Sequence, residues 1–86
     1  MAVTFRLQLI SQTGTIFDGD VESLVAPGTE GYLGVLAHHA PLLTGLLPGK
    51  VTFRTSNGET TKKNITGGFL EVSKNQAVIL ADDVEE

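Results

Sequence analysis

No cysteine occurs in this chain of 86 residues, so neither a disulfide nor a thiolate metal site can brace it. Stability must come from packing and backbone pairing, in a chain so short that it buries only about 60–65% of its unfolded surface. Positive charge is scarce as well: six Lys and Arg stand against ten Asp and Glu, giving a net charge of −4. The basic residues are scattered, with only Lys62 and Lys63 adjacent, and phosphate neutralisation needs them clustered; nucleic acid is set aside. Aromatics number five, four of them Phe in strand contexts, which argues against a carbohydrate or small-molecule face. No apolar run approaches the roughly 20 residues of a membrane-spanning helix, and Met1–Arg6 lacks the basic start and apolar core of a signal peptide. Helical periodicity, internal repeats and low-complexity tracts are missing too, so the chain reads as one soluble domain over residues 1–86.

Alternation of period two is what the chain does have. Phe5, Leu7 and Leu9 share one face of a strand, with Arg6 and Gln8 opposite and Ile10 interrupting the pattern. Thr15-Ile16-Phe17 leads to a turn expected at Asp18-Gly19-Asp20, and Val21–Ala26 forms a strand ended by Pro27-Gly28. Lys50–Thr55 alternates again, and Asn57-Gly58 predicts a type I′ hairpin into an exposed edge strand, Thr60–Ile65. Gly67-Gly68 precedes Phe69–Val72, and a turn at Ser73-Lys74-Asn75 leads to Gln76–Ala81. That last strand is apolar on both faces, which places it between layers or beneath a partner. Short strands at this spacing imply an all-β fold, a flattened antiparallel sandwich or barrel, with an acidic end, residues 82–86, that frays.

Residues 31–49 are different. They carry Gly, Pro and His punctuation yet are packed with Leu and Val, which is neither a solvated loop nor an amphipathic helix. An ordered, irregular, apolar surface suits docking onto another protein better than chemistry. Leu42, Leu43, Leu46 and Leu47 are more leucines than a thin sandwich can bury locally, and they are expected to divide between core and interface. His38-His39 does not read as a metal site, because neighbours on an extended segment point to opposite faces. Gly28–Gly34 lacks the Gly-Lys-Ser/Thr ending of a phosphate loop, and Glu30 would repel phosphate. Asp18, Asp20 and Glu22 are explained by strand alternation and turn chemistry without a calcium or acid–base site. No nucleophile or acid–base set is legible, so no catalytic residue and no cofactor is assigned.

Five segments in order, Phe17-Asp18-Gly19, Gly31–Val35, His39–Thr44 with Pro48-Gly49, Gly67–Val72 and Val78–Asp82, cover nearly the whole chain. In this series the sequence resembles the epsilon subunit of F-type ATP synthases, in its N-terminal β-sandwich domain. The resemblance implies a flattened sandwich of about ten strands at the foot of the rotor's central stalk, without a catalytic site. Its partners would be the gamma subunit on one side and the polar loops of the c-ring on the other. By matching positions, Glu30, Gly31, Tyr32, His39 and Ala40 are candidates for the c-ring contact, and Ser11, Leu42, Leu43 and Thr44 for gamma. The domain would be peripheral to the membrane, at the cytoplasmic face of a bacterial inner membrane or the stromal face of a thylakoid. Most members continue into an inhibitory helical hairpin, which in some binds ATP; this chain stops at Glu86, as a truncated piece or a naturally short form, and neither property attaches to these residues. Left without partners, the domain is expected to be capable of self-association through its uncovered apolar patch. The alternative from another class is a free-standing β-sandwich that binds a small ligand.

Overall fold

The computed structural model describes residues 3–85. Nine strands account for them: β1 (Phe5–Ser11), β2 (Gly14–Gly28), β3 (Gly31–Leu36), β4 (Leu42–Leu46), β5 (Gly49–Thr55), β6 (Thr60–Ile65), β7 (Gly68–Ser73), β8 (Gln76–Ala81) and β9 (Val84–Glu85). One hydrogen-bonded path runs β1-β8-β7-β4-β2-β5-β6-β9, with β3 on β2 and a further β1–β2 pairing. The all-β expectation therefore describes the chain.

The long strand β2 makes this path into a sandwich. Fifteen extended residues would reach about 50 Å at ~3.3 Å each, whereas the longest dimension of the domain is 34 Å, so β2 has to bend. It does so where the β5 register slips between Val21 and Ser23, an irregularity of the kind that turns a strand from one layer to another. Its first half pairs with β1, and its second half with β5 on one edge and β3 on the other. One layer is then β2–β1–β8–β7–β4 and the other β3–β2–β5–β6–β9. Alternate residues of both layers point inward and meet in a single core. Leu7, Leu9, Val21, Leu24, Leu70 and Ile79 are among its fully buried members, and Phe53 packs against Phe17 with ring centroids 4.5 Å apart and the ring planes tilted by 44°.

Several local expectations change. Asp18-Gly19-Asp20 is not a turn but the middle of β2, paired with Gln8, Leu7 and Arg6. The neighbouring strand overrides the local turn preference, and an Arg6–Asp18 ion pair at 2.6 Å fixes the register on the outside. The hydrogen bond from Arg6 holds the Asp18 carboxyl below its ordinary value. Pro27-Gly28 do not end the strand; they complete it, and the β2–β3 hairpin turns through Thr29-Glu30. The irregular segment 31–49 holds two strands, β3 and β4. The β1–β8 pair is parallel, so the sandwich is not antiparallel throughout.

The two hairpin turns exchange roles. At Asn57-Gly58 only Gly58 has positive φ (87°), and its N–H donates to Thr55 O at 2.9 Å, which is a type I turn closed by a left-handed glycine. The two-residue turn with both central residues left-handed is Lys74-Asn75 (φ 52° and 59°), between the paired Ser73 and Gln76. The acidic end, expected to fray, is paired through Glu85. Thr66 N donates to Asp83 O, and β9 lies against Asn64 and Ile65, covering part of an edge expected to be open; Glu86 falls outside the described residues.

Candidate functional site

Strand β4 sends its alternating side chains to two different surfaces. Leu42, Thr44 and Leu46 face one way, Leu43 the other. Leu46 is buried and Leu42 packs against the core half-buried, while Leu43 is 72% exposed and Leu47 is also exposed. The four leucines thus divide between core and surface, as alternation on a strand requires.

On the first side, Leu42 and Thr44 line a shallow concavity of about 330 Å³ together with Gly28, Glu30, Gly31, Tyr32, Leu33, Gly34 and His39. Residues expected at two different partners therefore share one rim: Glu30, Gly31, Tyr32 and His39 from the c-ring set, Leu42 and Thr44 from the gamma set. Glu30 stands exposed in the Thr29-Glu30 turn, and Tyr32 follows on β3. The Tyr32 ring is exposed but held, because its hydroxyl accepts the Lys50 N–H at 3.2 Å. Thr29 N donates to Gly45 O and Leu47 N to Pro27 O, which ties β4 to the hairpin. Tyr32 is the one aromatic residue on this rim, and among the described residues no buried side-chain polar atom lacks a partner.

The β3–β4 loop reaches the same rim under constraint. His38 has φ of 63°, and its N–H donates to Asn75 Oδ1 at 2.7 Å. Asn75 in turn donates from Nδ2 to Thr4 O at 3.0 Å, and its own carbonyl accepts from Arg6 N. One turn residue so clamps the start of β1 and the loop that carries His39 and Ala40. The His39 Nδ1 donates to the Ala40 carbonyl at 2.7 Å, so this ring is occupied locally, and Ala40 is exposed beside it. Asn75→Ala removes two side-chain hydrogen bonds at a left-handed position and should cost about 1–2 kcal/mol in a urea melt. Amide exchange at His38 should accelerate in Asn75→Ala and stay slow in Asn75→Asp, which keeps the acceptor. Equal exchange in all three chains would show that the clamp holds nothing.

Ser11 lies apart. It is buried, and its Oγ is shared with Thr13 Oγ1 at 2.9 Å and with the Thr13 N–H at 3.2 Å. Its side chain closes the β1–β2 turn, and the residue keeps 8% of its surface exposed.

The second surface escaped the sequence reading. Leu43 on β4, Phe69 and Glu71 on β7, and Val78 and Leu80 on β8 line a concavity of about 230 Å³ on the outer face of the layer. The sheet register brings them together: Leu43 stands opposite Glu71, Glu71 opposite Val78, and Phe69 opposite Leu80. Phe69 and Leu80 are 60% and 54% exposed, and Ile10 on β1, opposite Leu80 on its other side, is half-buried. A signal for it was present: Leu70 and Val72 face the core, so Phe69 and Glu71 had to face out, and β8 was already apolar on both sides.

Residues 4–86 match the family model described as the ATP synthase delta/epsilon chain, beta-sandwich domain. The chain is 40% identical over 83 residues to an ATP synthase epsilon chain of Dichelobacter nodosus, covering 96% of this chain and 58% of that relative. It is 46% identical over 82 residues to one of Pelotomaculum thermopropionicum, covering 95% and 60%. The chain therefore spans less than two thirds of the length of these relatives. Among solved structures, a chain of the Euglena gracilis mitochondrial ATP synthase (OSCP/F1/c-ring, rotational state 1) superposes with a TM-score of 0.90 at 25% identity, over 99% of this chain and 54% of that one. A chain of the Tetrahymena thermophila mitochondrial ATP synthase central stalk and c-ring gives 0.82 at 21% identity, over 99% and 68%, a likeness of fold alone.

Proposed function

The chain belongs to the ATP synthase delta/epsilon β-sandwich family, and from that premise we propose that it is an epsilon-type rotor subunit linking gamma to the c-ring of a proton-translocating F-type ATP synthase. It is non-catalytic and holds no cofactor. Its work is mechanical: a stiff, doubly layered sheet passes torque from the ring to gamma and so couples proton flow to ATP synthesis. The complex keeps it peripheral to the membrane, at the cytoplasmic face in a bacterium or the stromal face in a thylakoid.

What favours docking over chemistry is the exposed apolar cluster of Leu43, Phe69 and Leu80 on one rigid sheet face. Contiguous apolar side chains on a small acidic domain mark a surface meant to be covered. We assign this face to gamma. The concavity at Glu30, Gly31, Tyr32 and His39, on a turn and a clamped loop, is the side for the polar loops of the c-ring. Glu30 there pairs at most weakly, contributing about 0–1 kcal/mol as an exposed charge, so shape sets the fit. Without gamma the apolar face stays wet, and it is the surface through which the isolated domain would self-associate.

Co-sedimentation with the gamma subunit and with the c-ring, separately and together, tests this. The expected result is a complex with gamma that the ring strengthens. A folded domain that stays with neither partner overturns the reading.

A further inference from the structure

The apolar face has a charge in its middle. Glu71 is exposed on β7, with Leu43 opposite it on β4, Val78 opposite it on β8, and Phe69 and Leu80 completing the surround. Among the described residues no cation and no side-chain hydrogen bond satisfies Glu71. Arg6, the cation on the outer side of β1 in the same layer, is committed to Asp18. In the free domain this arrangement is harmless, because water solvates the carboxylate. Once a partner covers the leucines and the phenylalanine, that water is displaced, and a carboxylate buried without a counter-charge is among the most unfavourable things an interface can hold.

We propose that Glu71 is the specificity-determining residue of this face, selecting a partner surface that presents one basic side chain within an apolar ring. The proposal rests on the reading that the face docks the gamma subunit, and it names what gamma must offer there: an Arg or Lys set among apolar neighbours. A charge at the centre of an interface acts differently from one at its rim. It is desolvated on binding, so it fixes register and slows dissociation, whereas a rim charge mainly steers encounter. The same carboxylate also works against a wrong partner. Two copies of this chain meeting face to face would bring two Glu71 carboxylates into one apolar site, which disfavours the symmetric pair.

The test measures binding of the gamma subunit to the wild-type chain, Glu71→Gln and Glu71→Lys, with thermal melts of each. Because Glu71 is exposed and unpaired, all three should melt alike. Glu71→Gln should weaken binding several-fold and Glu71→Lys by at least about 10-fold, mostly through faster dissociation. Changing one basic residue of gamma at a time to Glu should identify a single position that restores affinity for Glu71→Lys. If the wild type binds gamma and both variants bind equally well, the proposal is wrong while the docking assignment stands. If the wild type itself does not bind, the docking assignment fails first. If the variants bind gamma normally but dimerise, Glu71 serves only to keep copies apart, and the proposal is again overturned.

Discussion

Gly68→Ala should cost the domain about 3–5 kcal/mol, a loss out of proportion to one methyl group. Gly68 opens β7 with φ of 149°, a conformation that side-chain-bearing residues rarely adopt and that by itself costs about 1–3 kcal/mol. Space is the second problem. A Cβ here would run into the Leu80 carbonyl oxygen and stand 2.9 Å from Ala81 Cα. Those are backbone atoms of β8, which is held by β1 on one side and β7 on the other, so nothing can swing aside. Gly14 isolates the first effect: its φ is 127°, and a Cβ there meets nothing within 4 Å. Gly14→Ala should therefore cost only the backbone strain. A chain of 86 residues has roughly 4–13 kcal/mol in total, at about 0.05–0.15 kcal/mol per residue, so Gly68→Ala removes a large share of it and lowers Tm by about 15–30 °C. Urea and thermal melts of both variants decide the matter; equal losses would show that the close approach of β7 to β8 is not a constraint. The approach also bears on the site, since the residue after Gly68 is Phe69, whose outward placement depends on how β7 enters the sheet.

The core was legible because alternation is local. Phe5, Leu7 and Leu9, or Val51 and Phe53, declare an inward face within a few residues, and each is buried. What local patterns could not carry was pairing over distance. Asp18-Gly19-Asp20 has the composition of a turn, and only the presence of β1 alongside makes it strand. The parallel β1–β8 pair joins segments some seventy positions apart in the chain, and nothing in either segment announces its direction. The turns show the same limit at shorter range. Asn57-Gly58 and Lys74-Asn75 both permit left-handed backbone, and the number of residues left unpaired between flanking strands decides which type forms.

The candidate site divides along the same line. Tyr32, Glu30, His39, Leu42 and Thr44 were found in one stretch of sequence, and the fold gathers them on one rim. Leu43 was found with them but belongs elsewhere, because β4 is a strand and adjacent residues on a strand face opposite ways. Its companions, Phe69, Glu71, Val78 and Leu80, come from strands a third of the chain away. An interface built across a sheet is assembled by register, so its members are invisible until the register is known.

Leu43→Asp should weaken binding to gamma by about 100-fold or more while leaving the domain folded. Leu43 is the most exposed of the large apolar side chains among the described residues, at 72%, so removing it opens no cavity. The substitution does set two carboxylates facing each other across the β4–β7 pair in the free domain, the introduced one and that of Glu71. Like charges directly opposite on a sheet cost no more than about 1 kcal/mol. In the complex the losses add. A leucine fully covered by a partner contributes about 1.5–3 kcal/mol, and the substituted carboxylate must be stripped of water beside a second one. Together these exceed the roughly 2.7 kcal/mol that corresponds to 100-fold in affinity. Leu43→Ala, which loses the contact without adding charge, should fall between the two. Leu36→Asp supplies the control: Leu36 is 65% exposed, but it lies on β3 in the opposite layer. Binding titrations against gamma should leave Leu36→Asp at the wild-type affinity. Should Leu36→Asp lose as much as Leu43→Asp, gamma sits on the other layer and the apolar cluster on β4, β7 and β8 must be assigned to a different partner. Should Leu43→Asp bind within two-fold of wild type, the cluster is not an interface with gamma at all.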